Sequence, residues 1–193
     1  MKYDFDEIID RRNTNALNTD GFRDYIFHAD DSMVFPYKDE DFIRMWVADM
    51  EFAAPQVVID AIRERLDRRI FGYTRIFTED YYNVFVSWCK TKYDWTFERK
   101  HLVMSNGIIP ALYELVGHIC KPDEKVLFLT PSYAYFKYAA DFNKRQYVCS
   151  DLINTDESFQ IDFEDVAQKA SDEKATLLIL CHPHNPTGRV WRE

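Results

Sequence analysis

The chain reads Thr176-Leu177-Leu178-Ile179-Leu180 and then Cys181-His182-Pro183-His184-Asn185-Pro186-Thr187-Gly188-Arg189. The first five residues form a short apolar run of the length expected for a buried strand. Pro183 and Pro186 restrict the backbone around Asn185, which should hold the Asn185 side chain just beyond that strand. In open α/β sheets, ligands bind in the crevice at the carboxyl ends of the strands. Asn185 is therefore a candidate ligand-binding residue.

From about residue 101 onward, predicted strands alternate with predicted helices. The strands are predicted at 102–104, 126–129, 146–149 and 176–180, and the helices at 108–119, 133–142 and 162–170. Strands that alternate with helices are typical of a parallel sheet. The continuously apolar run at 126–129 fits a strand that is covered on both faces. We therefore predict an α/β fold with a doubly wound, mainly parallel sheet.

The first hundred residues carry a different pattern. Residues 1–50 are charged and irregular, whereas Pro55 marks the start of a helix that Gly72 would end. Thr78 is placed to cap a second helix. That helix is predicted to turn Tyr81, Phe85, Trp88 and Cys89 inward.

Composition narrows the class of protein. With 193 residues and 47% apolar content, the chain is expected to be globular rather than disordered. A formal net charge of −9 argues against nucleic acid or an anionic membrane as a partner. The four cysteines form no C-x-x-C pair, which is typical of reduced thiols in a cytoplasmic protein. The acidic N-terminus does not resemble a signal peptide, no apolar run has membrane-spanning length, and no dinucleotide or P-loop glycine motif occurs.

A second candidate site lies in Ser105-Asn106-Gly107-Ile108-Ile109-Pro110. Here Gly107 permits a tight turn from the predicted strand into a helix. The backbone N–H groups of Gly107, Ile108 and Ile109 would then meet at the helix N-terminus, where unpaired donors and the helix dipole favour a phosphate. An ordinary strand-to-helix turn needs the same glycine, so this pattern alone leaves both interpretations open.

The third candidate is Tyr133, within Thr130-Pro131-Ser132-Tyr133 after the second predicted strand. Its ring is placed to stack on a flat heteroaromatic cofactor. Clustered aromatic residues also pack in cores and interfaces, and Tyr133 alone does not decide between the two. Three predicted strand ends that offer phosphate donors, a ring and an amide favour a cofactor site.

Two other interpretations, a metal site and a pair of acidic residues, are less favoured. His182 and His184 next to Cys181 suggest a metal site, but no second group of ligands accompanies them, and we predict no metal. Asp49 and Glu51 alternate along an extended segment, where a structural hydrogen-bonding role is expected.

In these motifs the chain resembles the fold-type-I enzymes that use pyridoxal 5'-phosphate (PLP), the class I/II aminotransferase superfamily. Within it, the chain is similar to the MalY/PatB-type cystathionine β-lyase and C–S lyase branch. Glu51, Asn18-Thr19 and His182 depart from the usual residues of that branch. The resemblance rests on the three cofactor motifs and on further segments, namely Tyr3-Asp4-Phe5-Asp6, Asp10-Arg11-Arg12-Asn13-Thr14-Asn15, Met45-Trp46-Val47-Ala48-Asp49-Met50-Glu51-Phe52 and Phe71-Gly72-Tyr73.

The resemblance implies an organisation and a set of site residues. Residues 1–50 would belong to the small domain, and residues 51–193 would form the first half of the large PLP-binding domain of the aspartate-aminotransferase fold. The protein would be a cytoplasmic homodimer acting on an amino-acid substrate. The implied cofactor contacts are phosphate binding by Gly107, Ile108 and Ile109, ring stacking by Tyr133, a hydrogen bond from Asn185 to the phenolic oxygen, and Tyr73 reaching the partner subunit's cofactor.

The resemblance covers about the first half of the family's length. The Schiff-base lysine, the acid that keeps the ring nitrogen protonated and the arginine that binds the substrate carboxylate lie downstream in the family, so no catalytic residue is assigned. The chain is expected to be the N-terminal half of a PLP-dependent C–S β-lyase that releases pyruvate, ammonia and a thiol from cystathionine or cysteine S-conjugates, inactive as an isolated chain, with residues 102–104 lacking neighbours. The alternatives are a class I/II aminotransferase and, in another class, a non-catalytic remnant or protein-interaction domain.

Overall fold

The computed structural model describes residues 3–30, 32–156 and 158–192. The chain divides into two compact units, Met1–Ile76 and Phe77–Glu193. The predicted domain boundary after residue 50 refers to the complete family fold and stays a prediction.

An aromatic cluster forms the centre of the first unit. Helix α1 (Phe22–Phe27) brings Phe22 into this cluster, where only 1% of its surface is exposed. The Phe22 ring stacks on Trp46 with a centroid distance of 5.7 Å and is tilted against Phe42 at 5.4 Å. Such aromatic contacts add to the hydrophobic stabilisation of a small core. The irregular pattern of residues 1–50 concealed this helix.

Asp49 connects distant parts of the first unit. Arg11 Nη2 donates to its Oδ2 over 2.6 Å, and Asn18 Nδ2 donates to its Oδ1 over 3.0 Å. The hydrogen bond from Arg11 lowers the pKa of the Asp49 carboxyl below its ordinary value. These contacts agree with the structural role expected for Asp49.

Helix α2 (Gln56–Asp67) starts directly after Pro55, as predicted. It ends at Asp67, five residues before Gly72, so the expected end at the glycine was too late. Residues 70–78 have no helix or strand.

The second unit opens with helix α3 (Glu79–Tyr93). Thr78 Oγ1 accepts the N–H of Tyr81 over 3.2 Å, which confirms the predicted cap. Of the four residues predicted to face inward, Cys89 is buried, but 56% of Trp88 is exposed. Tyr81 and Phe85 are exposed as well, at 43% and 40%, so the predicted inward face of α3 holds only at Cys89.

The main sheet has three parallel strands, of which the first two are β1 (Lys125–Thr130) and β2 (Gln146–Asp151). Next along the chain, two short strands, β3 (Ile153–Asn154) and β4 (Phe159–Gln160), make an antiparallel hairpin that the sequence pattern did not predict. The third strand of the main sheet is β5 (Ala175–Ile179), and the order is β2-β1-β5. The predicted strands at 126–129, 146–149 and 176–180 are thereby confirmed, with ends that differ by one or two residues.

Helices cover both faces of this sheet: α4 (Ile108–Ile119), α5 (Tyr135–Phe142) and α6 (Phe163–Ala170). On one face, Val126 and Phe128 pack with Val116 of α4 and Ala139 of α5 in a single buried cluster. On the other face, Ser150, the register partner of Leu129, donates to Asp165 of α6. Strand β1 is buried on both sides, as its apolar run predicted.

Residues 102–104 do not form the predicted strand, although their lack of a neighbouring strand was expected. Among the described residues, this segment pairs with no strand, and 85% of Val103 is exposed. A strand needs a neighbour to satisfy its backbone donors and acceptors, and none is present beside this segment in the described part of the chain. Within those described ranges, every helix is also too short or too polar to cross a membrane.

Candidate functional site

Two of the predicted site residues lie beyond the carboxyl ends of neighbouring strands. Tyr133 follows β1, and Asn185 follows β5, which pairs with β1 in parallel. Parallel strands that pair directly end at the same edge of a sheet, so the two loops leave the sheet side by side. The peptide bonds before Pro131, Pro183 and Pro186 are cis.

The N-terminus of α4 has the conformation that its glycine allows. Gly107 has φ +136° and ψ 169°, a region that residues with a side chain rarely enter. Its carbonyl accepts the N–H of Ala111 over 3.2 Å and the hydroxyl of Ser105 over 3.0 Å. The N–H groups of Ile108 and Ile109 precede the first helical hydrogen bond, and no side chain caps this helix. The turn therefore presents a set of backbone donors at an exposed helix end.

Tyr133 is half in the core and half at the surface. Its ring meets Phe136, a buried core residue, in a T-shaped contact at 6.1 Å. It also lies 5.0 Å from the Tyr135 ring, and 38% of Tyr133 is exposed. Tyr133 therefore packs against two aromatic neighbours and stays partly exposed beyond the carboxyl end of β1.

Asn185 itself is exposed, in a loop built around a buried residue. The Asn185 backbone N–H donates to Cys181 Sγ over 3.4 Å, and the Cys181 thiol donates to the Pro183 carbonyl over 3.2 Å. Trp191 Nε1 donates to the Cys181 carbonyl over 3.0 Å, which joins the two ends of the loop. The sequence indicated the position of Asn185 but not these contacts.

His184 is the buried residue of this loop, with 2% of its surface exposed. Its Nδ1 lies 3.0 Å from Thr187 Oγ1, and its ring meets Trp191 edge to face at 5.4 Å. Burial lowers the pKa of His184 below its ordinary value, so the neutral ring is favoured. Within the described ranges, no group of three metal-ligating side chains comes together, around His184 or elsewhere.

The loop also touches the hairpin that the sequence pattern missed. Arg189 Nε donates to the Phe159 carbonyl of β4 over 3.2 Å. An open cavity of about 560 Å³ lies here, lined by residues from the hairpin turn and by Thr187–Val190. Gly107, Tyr133 and Asn185 are not among its lining residues.

Tyr73 belongs to the first unit and is described within it. Its side chain is fully exposed, in the irregular segment after α2. Thr74 Oγ1 donates to the Gly72 carbonyl over 3.3 Å, which makes a local turn beside it. The structure thus brings the Tyr133 and Asn185 loops to one sheet edge, and the roles of all six predicted cofactor residues stay predictions.

A family model described as "Aminotransferase class I and II" matches residues 40–193. Cystathionine beta-lyase PatB of Bacillus subtilis is 38% identical over 153 residues, an alignment that covers 78% of this chain and 39% of PatB.

Solved structures match along the entire chain. The PLP-bound C–S lyase from Staphylococcus hominis has 50% sequence identity and a TM-score of 0.85, with 100% of this chain and 46% of that chain covered. Cystalysin from Treponema denticola, which contains PLP, has 30% identity and a TM-score of 0.84, with the same coverage. The chain spans about half the length of these relatives. The matches confirm the resemblance drawn from the sequence and the predicted fold class.

Proposed function

This chain belongs to the aminotransferase class I and II family, and from that premise we propose that it supplies the N-terminal half of a PLP-dependent C–S β-lyase. The substrate class is cystathionine or another cysteine S-conjugate, and the products are pyruvate, ammonia and a thiol. The observation that carries the proposal is the 50% identity to a PLP-bound C–S lyase along the whole chain. PatB, also similar, is named a cystathionine β-lyase.

The donor groups of the second unit fit PLP by their chemistry. A phosphate needs several converging N–H donors, and the open N-terminus of α4 after Gly107 offers them. A pyridine ring stacks on a flat aromatic surface, and the partly exposed Tyr133 ring is the candidate for it. A phenolic oxygen needs a hydrogen-bond donor, which the Asn185 amide offers. When bound, PLP supplies an electron sink for the bond that breaks at the substrate Cα.

In this proposal, each residue has a separate task. The backbone N–H groups of Gly107, Ile108 and Ile109 bind the phosphate, Tyr133 stacks on the ring, and Asn185 donates to the phenolic oxygen. No proton-transfer step is assigned within residues 1–193. The Schiff-base lysine is expected in the portion of the relatives that this chain does not match.

The assembly belongs to the proposal as well. We expect a cytoplasmic homodimer in which Tyr73 reaches the partner subunit's cofactor. Full exposure of Tyr73 leaves its ring available for such a contact. Four free cysteines fit a reducing compartment.

Cofactor binding is tested first on the chain itself. PLP is titrated into the wild type, Asn185→Ala and Asn83→Ala, with the cofactor absorbance as readout. Asn83 is exposed on α3 and serves as the matched control. Loss of one hydrogen bond to a charged oxygen is worth about 1.5–2 kcal/mol, so Asn185→Ala should weaken the affinity by roughly ten- to thirtyfold.

Equal affinity in the two variants, or no PLP binding in any of them, would contradict the assigned site. Borohydride reduction of the PLP-loaded chain should leave no cofactor attached to a lysine. A lysine-bound cofactor would show that the expected position of the Schiff-base residue is wrong.

The reaction is tested in a hybrid protein. Residues 1–193 are joined to the matching C-terminal portion of the Staphylococcus hominis C–S lyase, and pyruvate release from cystathionine is measured. We expect pyruvate, with a large loss of rate in the hybrid that carries Asn185→Ala. A hybrid that binds PLP and releases no pyruvate would count against the lyase assignment.

A class I/II aminotransferase is the second candidate. It is favoured by the histidinol-phosphate aminotransferase of Bacteroides thetaiotaomicron, which is 32% identical to this chain over 90 residues. Exchange of an amino group between amino acid and keto acid by the same hybrid, without pyruvate from cystathionine, would support it.

A further inference from the structure

The two prolines leave the Asn185 loop with few backbone donors. Of residues 183–186, only His184 and Asn185 carry an N–H group. The His184 N–H donates to the Arg189 carbonyl over 2.8 Å. The Asn185 N–H donates to the Cys181 thiol over 3.4 Å. Both available donors are therefore used, and a side chain accepts the one on Asn185 itself.

His184 fixes the residue that precedes Asn185. Its ring is buried between Thr187 Oγ1 and Trp191, and its carbonyl accepts the Gly188 N–H over 2.7 Å. Because contacts hold both its ring and its backbone, His184 has little freedom to rotate. Rotation at His184 would displace the Asn185 side chain, because the two residues share a peptide unit.

Trp191 contacts both Cys181 and His184. Its indole N–H donates to the Cys181 carbonyl, and its ring packs on His184. Contacts among Cys181, His184 and Trp191 thus form the interior of the loop, while the Asn185 side chain is exposed.

We propose that Cys181 and His184 are positioning residues that hold the Asn185 amide in the orientation needed to bind the cofactor. The inference rests on the proposed function, since it assigns Asn185 to the cofactor. A thiol that accepts one hydrogen bond and donates another keeps the Asn185 backbone at a fixed distance from the end of β5. A pre-oriented amide loses less entropy when the ligand binds than a mobile one.

The backbone part is tested without any ligand. Amide hydrogen exchange of Asn185 is measured in the wild type, Cys181→Ala, Cys181→Ser and Cys149→Ala. Cys149 is a half-buried thiol on β2, the opposite edge strand, and controls for the loss of a thiol. We expect Asn185 to exchange about tenfold faster in Cys181→Ala, because its acceptor is gone.

Cys181→Ser should restore part of the protection, since a hydroxyl accepts and donates as the thiol does. The Gly188 amide, bonded to the His184 carbonyl, should change little in either Cys181 variant. Unchanged exchange of Asn185 in Cys181→Ala would overturn the proposal. If Cys181→Ala fails to fold, Cys181→Val, which fills the space of the thiol but offers no acceptor, decides in the same way.

The functional part is tested by a double-mutant cycle on PLP affinity. Cys181→Ala should weaken the affinity about threefold to tenfold in the wild-type background. If Cys181 acts through Asn185, the same change should have no effect when Asn185 is already alanine. Equal effects in both backgrounds would show a merely structural role and overturn the proposal.

His184→Phe replaces the imidazole with a somewhat larger apolar ring and removes the hydrogen bond to Thr187, and it should give a similar non-additive pattern. Additive behaviour in this second cycle would remove His184 from the proposal. An Asn185→Ala change without effect on PLP affinity would refute the proposed function instead, and the exchange of the Asn185 amide would still decide whether Cys181 fixes the loop.

Discussion

Predicted cofactor groups lie on three loops of the second unit, and two of these loops, at Asn185 and at Gly107, are supported in different ways. The Asn185 loop follows β5, a strand paired with β1, and side chains hold it from within. The turn at Gly107 follows residues 102–104, which pair with no strand in the described part of the chain. Its shape depends on the backbone freedom of one glycine. The Asn185 loop is therefore held by a paired strand and by side-chain hydrogen bonds, whereas the Gly107 turn depends on the conformation of one residue.

The largest expected effect separates paired from unpaired apolar segments. Phe128 of β1 is buried against Phe136 and Tyr147, whereas Val103 is exposed. Phe128→Ala should lower the free energy of unfolding by about 4 kcal/mol, because a buried cavity replaces the ring. Val103→Ala should change it by less than about 0.5 kcal/mol. Urea unfolding measures both, and a cost at Val103 close to that at Phe128 would show that residues 102–104 are packed.

The two glycines with positive φ should differ next. An added Cβ meets only Pro110 Cδ, at 3.7 Å, beside Gly107 and nothing within 4 Å beside Gly188, so backbone strain alone sets the cost. Gly107→Ala forces a side chain into a region used almost only by glycine and should cost about 2 kcal/mol. Gly188, at φ +70°, lies in the left-handed region and should cost about 1 kcal/mol. Urea midpoints decide, and equal costs would contradict the stated difference between the loops.

Helix starts offer a smaller contrast. Helix α3 is capped by Thr78, while α4 begins with open donors after Gly107. Thr78→Ala should cost about 1 kcal/mol in unfolding free energy, because the Tyr81 N–H loses its acceptor. Thr91→Ala is the control, since the Thr91 hydroxyl bonds to the Ser87 carbonyl within the helix and should contribute little. A cost at Thr91 equal to that at Thr78 would rule out the capping explanation.

The smallest effect is a pH dependence that only one loop should show. Burial lowers the pKa of His184 in the folded state, so the unfolded chain binds this proton more readily. Stability should therefore decrease as the pH falls below about 6.5, the ordinary histidine value, towards the lower folded pKa. Residues 105–109 carry no titratable side chain.

Urea midpoints at about pH 7.5 and about pH 5.5, which bracket that ordinary value, provide the measurement. The decrease should be smaller in His184→Phe than in the wild type, and the difference between the two proteins cancels the other histidines. An identical decrease in both would show that His184 does not contribute.

The regular elements of the second unit were largely predictable from sequence. The helix at 108–119 was predicted with its exact bounds, because an amphipathic pattern begins after Gly107 and ends before Cys120. The run at 126–129 indicated a strand buried on both faces, since neither face shows polar residues. Thr78 was predicted as a cap from its position before acidic residues.

Other features depend on contacts that a local pattern does not contain. The segment at 102–104 has the composition of a strand, but a strand exists only beside a partner. The hairpin β3–β4 has strands of two residues, too short for any alternation to be visible. Trp88 was assigned to the core as part of the inward face of α3, yet it is exposed in this unit. The anchoring of Asn185 by Cys181 depends on loop closure, which no periodicity encodes.

The bond from Arg189 to the hairpin limits how the chain can change. Its acceptor is the carbonyl of Phe159, a group that every amino acid at that position would provide. Residues along β3 and β4 are therefore free to vary in identity without loss of this tether. An insertion or deletion in the turn between them would instead move the carbonyl and so break or displace its hydrogen bond with Arg189, which lies four residues beyond Asn185. Selection and engineering are accordingly expected to conserve the length of this hairpin more strictly than its side chains.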